Sequence, residues 1–164
     1  MSKTKLLILS LISLIFLSCS SQKNLKLKNN LSISYISGDL DALILRNLLE
    51  SHLSSASMYD PLSNFTIQAG VGHSGSVFIT NIDNTSDREN VSTRVEINIL
   101  DKRNDCITFN FNETIDYFYI YASSETFSSN QKAVEEIRYY NTETLIKKFI
   151  TNLEDSSFIC FDTK

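Results

Sequence analysis

The stretch Arg88-Glu-Asn-Val-Ser-Thr-Arg-Val-Glu-Ile-Asn-Ile-Leu100 decides the architecture of this chain. Within it, Val91, Thr93, Val95, Ile97 and Ile99 alternate with Ser92, Arg94, Glu96 and Asn98. A period of two sends successive side chains to opposite faces of a strand. Apolar residues in one phase and polar residues in the other specify a sheet that is covered on one face and wet on the other.

Downstream, Asp101-Lys102-Arg103-Asn104-Asp105 reads as a turn, and Ile107, Phe109 and Phe111 alternate out of it, which makes a long hairpin. The run Ile115-Asp-Tyr-Phe-Tyr-Ile-Tyr121 carries aromatics in both phases, so it is either buried on both faces or paired with a partner. Upstream lies a polar loop, Asn81-Ile-Asp-Asn-Thr-Ser-Asp-Arg-Glu-Asn90. Before it, Phe65 to Ala69 and Val77 to Ile82 read as two short strands on either side of Gly70-Val-Gly-His-Ser-Gly75.

Two helices complete the layer. Leu31, Ile33 and Tyr35 begin the domain with strand periodicity, which Ser37-Gly38-Asp39 breaks. Leu45, Leu48, Leu49, Leu53 and Ala56 then recur at helical spacing over residues 39 to about 56, and Asp60-Pro61 closes that region. Ser128 and Gln131 have capping-box spacing, and Val134, Ile137, Leu145, Ile146, Phe149, Ile150 and Leu153 line a helix to about residue 153. The expected class is α+β: two helices on one face of a mainly antiparallel sheet of four to five strands, in the order strand, helix, strands, helix.

The N-terminus bounds the location. Lys3 and Lys5 precede Leu6 to Leu17, which is apolar except for Ser10 and Ser13. This is shorter than the ~20 residues of a spanning helix and fits the core of a secretory signal. Leu17-Ser18-Cys19-Ser20 resembles a bacterial lipobox, in which cleavage leaves an acylated Cys19 as the new N-terminus. The expected organisation is a signal peptide at 1–18, a lipidated cysteine with a polar tether at 19–30, one domain at 31–154, and a tail at 155–164. Ser20, rather than an aspartate, after the cysteine implies the outer membrane.

Signal cleavage removes two lysines from a chain whose formal charge is already −4. That balance excludes general nucleic-acid binding, which depends on neutralising phosphates. Cys106 and Cys160 lie in unrelated segments, a strand and the tail, so unpaired thiols are expected.

Catalytic signatures fail on context. GVGHSG matches G-x-G-x-x-G, but SVFIT follows it where a dinucleotide site needs a helix, so a bend, bulge or hairpin turn is the better reading. His52 falls near the apolar face of the first helix, as a packed or boundary side chain, and His73 lies in the glycine cluster. Neither has a neighbouring cysteine to build a metal site, and Asp83, Asp87 and Glu89 lack the spacing of a calcium loop. No serine sits in a G-x-S-x-G elbow. No catalytic residue, metal ligand or cofactor is expected, and the chain is read as a non-enzyme.

With this layout, the chain resembles the lipopolysaccharide-assembly lipoprotein family (LptE, rare lipoprotein B). Gly38-Asp-Leu-Asp-Ala-Leu-Ile-Leu-Arg-Asn-Leu-Leu-Glu-Ser-His-Leu53, with Arg46-Asn47-Leu48-Leu49 at its centre, resembles the first-helix segment of the family. Arg88–Leu100 resembles its central strand, and Thr142-Glu-Thr-Leu-Ile-Lys-Lys-Phe-Ile-Thr-Asn-Leu153 the end of its last helix. The resemblance implies an outer-membrane plug of the β-barrel LptD that assists barrel assembly and delivers lipopolysaccharide without catalysing a reaction. In that setting the polar and aromatic segment 113–121 is core or packs on a barrel wall. Basic residues at one end of the family's sheet contact lipopolysaccharide. One aligns with Arg88, whose bland alternative is a solvated loop arginine between Asp87 and Glu89. The second falls near Thr126, and Lys132 is the nearest substitute. The other readings are an auxiliary lipoprotein of a different envelope lipid transporter and a surface lipoprotein that binds a host partner.

Overall fold

A computed structural model describes residues 30–79, 87–121, 127–154 and 156–161. The signal, Cys19 and the tether lie outside the described residues. The element order is β1 (Leu31–Ser37), α1 (Asp39–Ser55), β2 (Phe65–Ile79), β3 (Asp87–Asp101), β4 (Cys106–Tyr121) and α2 (Phe127–Glu154). The four strands form one sheet in the order β1-β2-β3-β4. β1 pairs in parallel with β2 across the α1 connection, and β2, β3 and β4 form an antiparallel meander. This is the α+β arrangement expected from the hydrophobic pattern.

Alternation places the core. Phe65, Ile67, Ala69 and Val71 of β2, and Val91, Thr93, Val95, Ile97 and Ile99 of β3, are buried beneath the helices. α1 brings Leu45, Leu48, Leu49 and Leu53, and α2 brings Leu145, Ile146, Phe149 and Leu153, both at helical spacing. Phe149 meets Phe109 and Phe111 edge-on, with centroids 5.9 and 5.7 Å away. A shift between Ile99 and Leu100 breaks the β3–β4 register, and there the buried Thr108 hydroxyl donates to the Ile99 carbonyl (3.1 Å).

The β3–β4 turn is organised by Asp101. Its carboxylate accepts from the Arg103 backbone N–H (2.9 Å) and from the Asn104 amide (2.8 Å). The backbone bond above all, followed by the Asn104 contact and the Arg103 charge, holds this carboxyl below its ordinary pKa, against the opposing effect of desolvation.

Four expectations change. The glycine cluster is neither a turn nor a bulge: β2 runs through it, with unbroken pairing to β3 from Phe65↔Asp101 to Ile79↔Asp87. Glycine lowers strand propensity, but sixteen-residue β4 and fifteen-residue β3 supply a template long enough to carry β2 across it. The loop before β3 ends sooner than its polarity suggests, because Asp87 to Asn90 are already in the strand. Next, Cys106 and Cys160 form a disulfide, with Cα atoms 5.6 Å apart. The tail folds back to meet the start of β4: the Phe161 N–H donates to the Ile107 carbonyl (2.9 Å) and Phe158 packs on Phe65 (5.2 Å). α2 begins at Phe127, so Ser128 sits inside the helix rather than at its cap.

Candidate functional site: the open sheet face and the cleft at its flank

The even-numbered residues of β3 point away from the helices, and those of β2 and β4 join them on the same side. This face is polar almost throughout: Gln68 and Ser74 on β2, Arg88 to Asn98 on β3, and Asn110 to Asp116 on β4. Its side chains bond across strands. The Asn110 amide donates to Asn98 Oδ1 (2.6 Å), Arg94 Nε to Asn112 Oδ1 (2.9 Å), and Asn90 Nδ2 to Asp116 Oδ1 (3.5 Å). Cross-strand polar pairs of this kind fix rotamers and give the face a set pattern of donors and acceptors. Among the described residues, no helix packs on it.

Arg88 belongs to this face. It is exposed, lies second in β3, and pairs in register with Phe78 and Ile120. It is a strand residue, not a loop residue. Lys132 lies in the second turn of α2, with its side chain 77% exposed and an ion pair to Glu136 (3.9 Å). Because α2 packs on the opposite side of the sheet, the sheet separates the two cations. The structure does not bring them into one two-cation site.

A second constellation lies on the helix side. His73 follows the parity of Phe65, Ile67, Ala69 and Val71, so its ring points under the helices and is only 5% exposed. Nδ1 lies 2.9 Å from the Thr93 hydroxyl, and Nε2 lies 3.5 Å from Asp41 Oδ2. The Asn141 amide of α2 donates to the same Thr93 hydroxyl (3.2 Å) and to the Val91 carbonyl (3.4 Å). Asn141 Oδ1 and Arg138 Nε are buried without a hydrogen-bond partner. A cleft of about 350 Å³ opens above, between Leu40, Ile44, His73, Arg138 and Tyr139. Sequence reading missed this cluster because it broke β2 at the glycines, which lost the parity of His73.

Burial pushes the His73 imidazole below its ordinary value of 6.5; Asp41 opposes the shift and Arg138 adds to it. The folded protein then binds fewer protons than the unfolded chain just below pH 6.5, so stability rises with pH through that window and falls on acidification. Denaturant melts at stepped pH are expected to show this slope in the wild type, and His73→Gln is expected to flatten it. An unchanged slope in the variant sinks the assignment.

His52 is the boundary side chain that its position suggested. Its Nε2 lies 3.8 Å from Glu143 on α2, which also pairs with Lys147 (2.8 Å). Among the described residues, no group of three or more metal-ligating side chains comes together, and no helix is long and apolar enough to cross a membrane.

No protein-family model matches the chain, and no curated protein matches it by sequence. Solved structures do match it. A minor lipoprotein from Acinetobacter baumannii superposes with a TM-score of 0.58 at 16% identity, over 77% of this chain and 90% of that one. Rare lipoprotein B from Shewanella oneidensis superposes with a TM-score of 0.54 at 14% identity, over 76% of this chain and 96% of that one. The fold implied by the resemblance is the fold found: this chain has the strand, helix, strands, helix architecture of rare lipoprotein B.

Proposed function

We propose that this protein is a lipoprotein anchored at Cys19 in the outer membrane, where it plugs a β-barrel of the LptD type and assists delivery of lipopolysaccharide. The observation that carries the reading is the open sheet face. A four-stranded sheet that the described residues leave uncovered on one side, polar from Gln68 to Asp116 and cross-bonded between β3 and β4, suits a polar barrel lumen, where an apolar face would be mismatched. The shared fold with rare lipoprotein B and the lipobox support the same role. Acyl chains on Cys19 would hold the wedge at the membrane, each buried methylene contributing ~0.8 kcal/mol. The role is one of fit and contact, with no chemical step assigned to the chain.

Affinity purification of the natively expressed protein from solubilised envelopes is the test. A large β-barrel is expected to co-purify, and recovery of the lipoprotein without one removes the plug reading. Within that complex, Arg88→Glu is expected to weaken lipopolysaccharide binding by about tenfold or more, the loss that follows when a guanidinium–phosphate contact worth ~1.5–3 kcal/mol becomes a repulsion. The exposed position of Arg88 predicts an unchanged melting temperature for the variant. Undiminished binding removes Arg88 from the site.

A further inference from the structure

The glycine cluster has a consequence apart from the barrel. Gly38 is required by the backbone, since it sits at φ 130° and an added Cβ would lie 2.6 Å from the Val71 carbonyl oxygen. At Gly70 a Cβ would lie 2.6 Å from Ser37 Oγ. Gly72 is different. Its φ is not positive, and a Cβ there would meet nothing within 4 Å. Neither conformation nor internal packing asks for glycine at this position, and glycine weakens a strand interior. A strand glycine that the fold does not need marks a place where something outside approaches the backbone.

The sheet edge says what approaches. β1 pairs with β2 only as far as Ser37↔Gly70, and the chain then turns at Gly38 into α1. β2 continues to Ile79, and beyond Gly70 its only strand partner among the described residues is β3. Alternate backbone N–H and C=O groups from Gly72 to Ile79 therefore face outward with no strand of the described residues beside them. Soluble proteins usually guard such an edge with lysine, proline or a bulge. Gly72-His-Ser-Gly-Ser-Val-Phe-Ile79 holds no proline and no formally charged residue, and its register with β3 is unbroken.

We infer that the outer edge of β2 from Gly72 to Ile79 is a docking site for an extended polypeptide segment, which adds to the sheet as a strand beyond the end of β1. Main-chain hydrogen bonds supply the affinity, and pockets for alternate side chains supply the selectivity. Both pockets are present. A trough of about 380 Å³ lies on the open face beside Gly72, Ser74, Ser92 and Arg94. The cleft of about 350 Å³ between Leu40, Ile44 and Tyr139 lies on the helix side. His73 borders both recesses. Successive side chains of an added strand point to opposite faces, so one residue enters each. The segment that fits carries a small polar residue toward Gly72 and an apolar neighbour toward Leu40 and Ile44. In the cleft wall, the buried Arg138 Nε is a donor without a partner, ready for an acceptor on that segment. Asp41 and Glu135 beside Arg138 select against an acidic one.

Residue-resolved hydrogen exchange tests this on the acylated full-length protein, purified alone and in the complex that gentle detergent extraction yields. The outward-facing amides between Gly72 and Ile79 are expected to exchange about tenfold or more slowly in the complex, while those of Asn110 to Asp116 on β4 stay unchanged. Gly72→Leu is expected to keep the melting temperature of the isolated chain and to abolish this protection. Equal exchange in the two samples overturns the inference, as does an extract that yields only the isolated, unprotected chain. Protection already complete in the isolated protein also overturns it, because a segment of the same chain would then occupy the edge. Protection in a complex that contains no barrel upholds the docking edge while removing the plug reading.

Discussion

Phe149→Ala is expected to unfold about 10 °C below the wild type. Phe149 is fully buried and is the largest side chain so enclosed among the described residues. It joins α2 to the sheet through edge-on contacts to Phe109 and Phe111. Truncating a buried phenylalanine to alanine costs about 3–5 kcal/mol, the lost transfer energy plus the cavity left behind. Aromatic pairs add about 0.5–1.5 kcal/mol beyond burial, so this site belongs near the upper end. Against a typical total of 5–15 kcal/mol, that is a large share. For a domain of this size each kcal/mol lowers the midpoint by roughly 2–4 °C. Phe149→Leu keeps most of the volume and is expected to lose under about 1.5 kcal/mol. Thermal melts of the two variants decide the matter: equal losses would mean that the ring is not wedged between α2 and β4.

Reduction of the Cys106–Cys160 bond is expected to lower the midpoint by a similar amount. The bridge joins residues 54 apart in sequence. Constraining a loop of that length in the unfolded chain is worth about 4 kcal/mol on the chain-entropy account. Among the described residues, the tail is otherwise tied to the sheet by a backbone bond from Phe161 to Ile107 and the contact of Phe158 with Phe65. The expected result is a melt about 10 °C lower in reductant, matched by Cys106→Ser with Cys160→Ser in its absence. The loss should be accompanied by exposure of Phe65, readable as faster proteolysis after the end of α2. If the oxidised and reduced proteins melt together, with thiol titration confirming the reduction, the bridge does not constrain the fold.

These two sites differ in how far the sequence reveals them. Phe149 is legible from periodicity, because it shares a helical face with Leu145, Ile146 and Leu153. The disulfide is not. Nothing local to Cys106 or Cys160 records that the tail turns back along β4, a route set by Phe158 finding Phe65 and by the length of α2. The candidate site divides in the same way. The polarity of the open face is visible in Arg94, Glu96 and Asn98, but the pairing of Asn98 with Asn110 depends on the hairpin register.

Hydrophobic period and turn chemistry, both local, determined the order of elements, the covered and uncovered faces of β3, and the helix face that runs from Leu45 to Leu53. Tertiary structure alone decided the rest. β2 passes unbroken through three glycines of poor strand propensity because β3 pairs with every one of them, and that continuity turns His73 inward beside Thr93 and Asp41. It also puts Arg88 and Lys132 on opposite sides of one sheet, since a side chain's face depends on the count of residues from a register fixed elsewhere, and no short window of sequence contains that count.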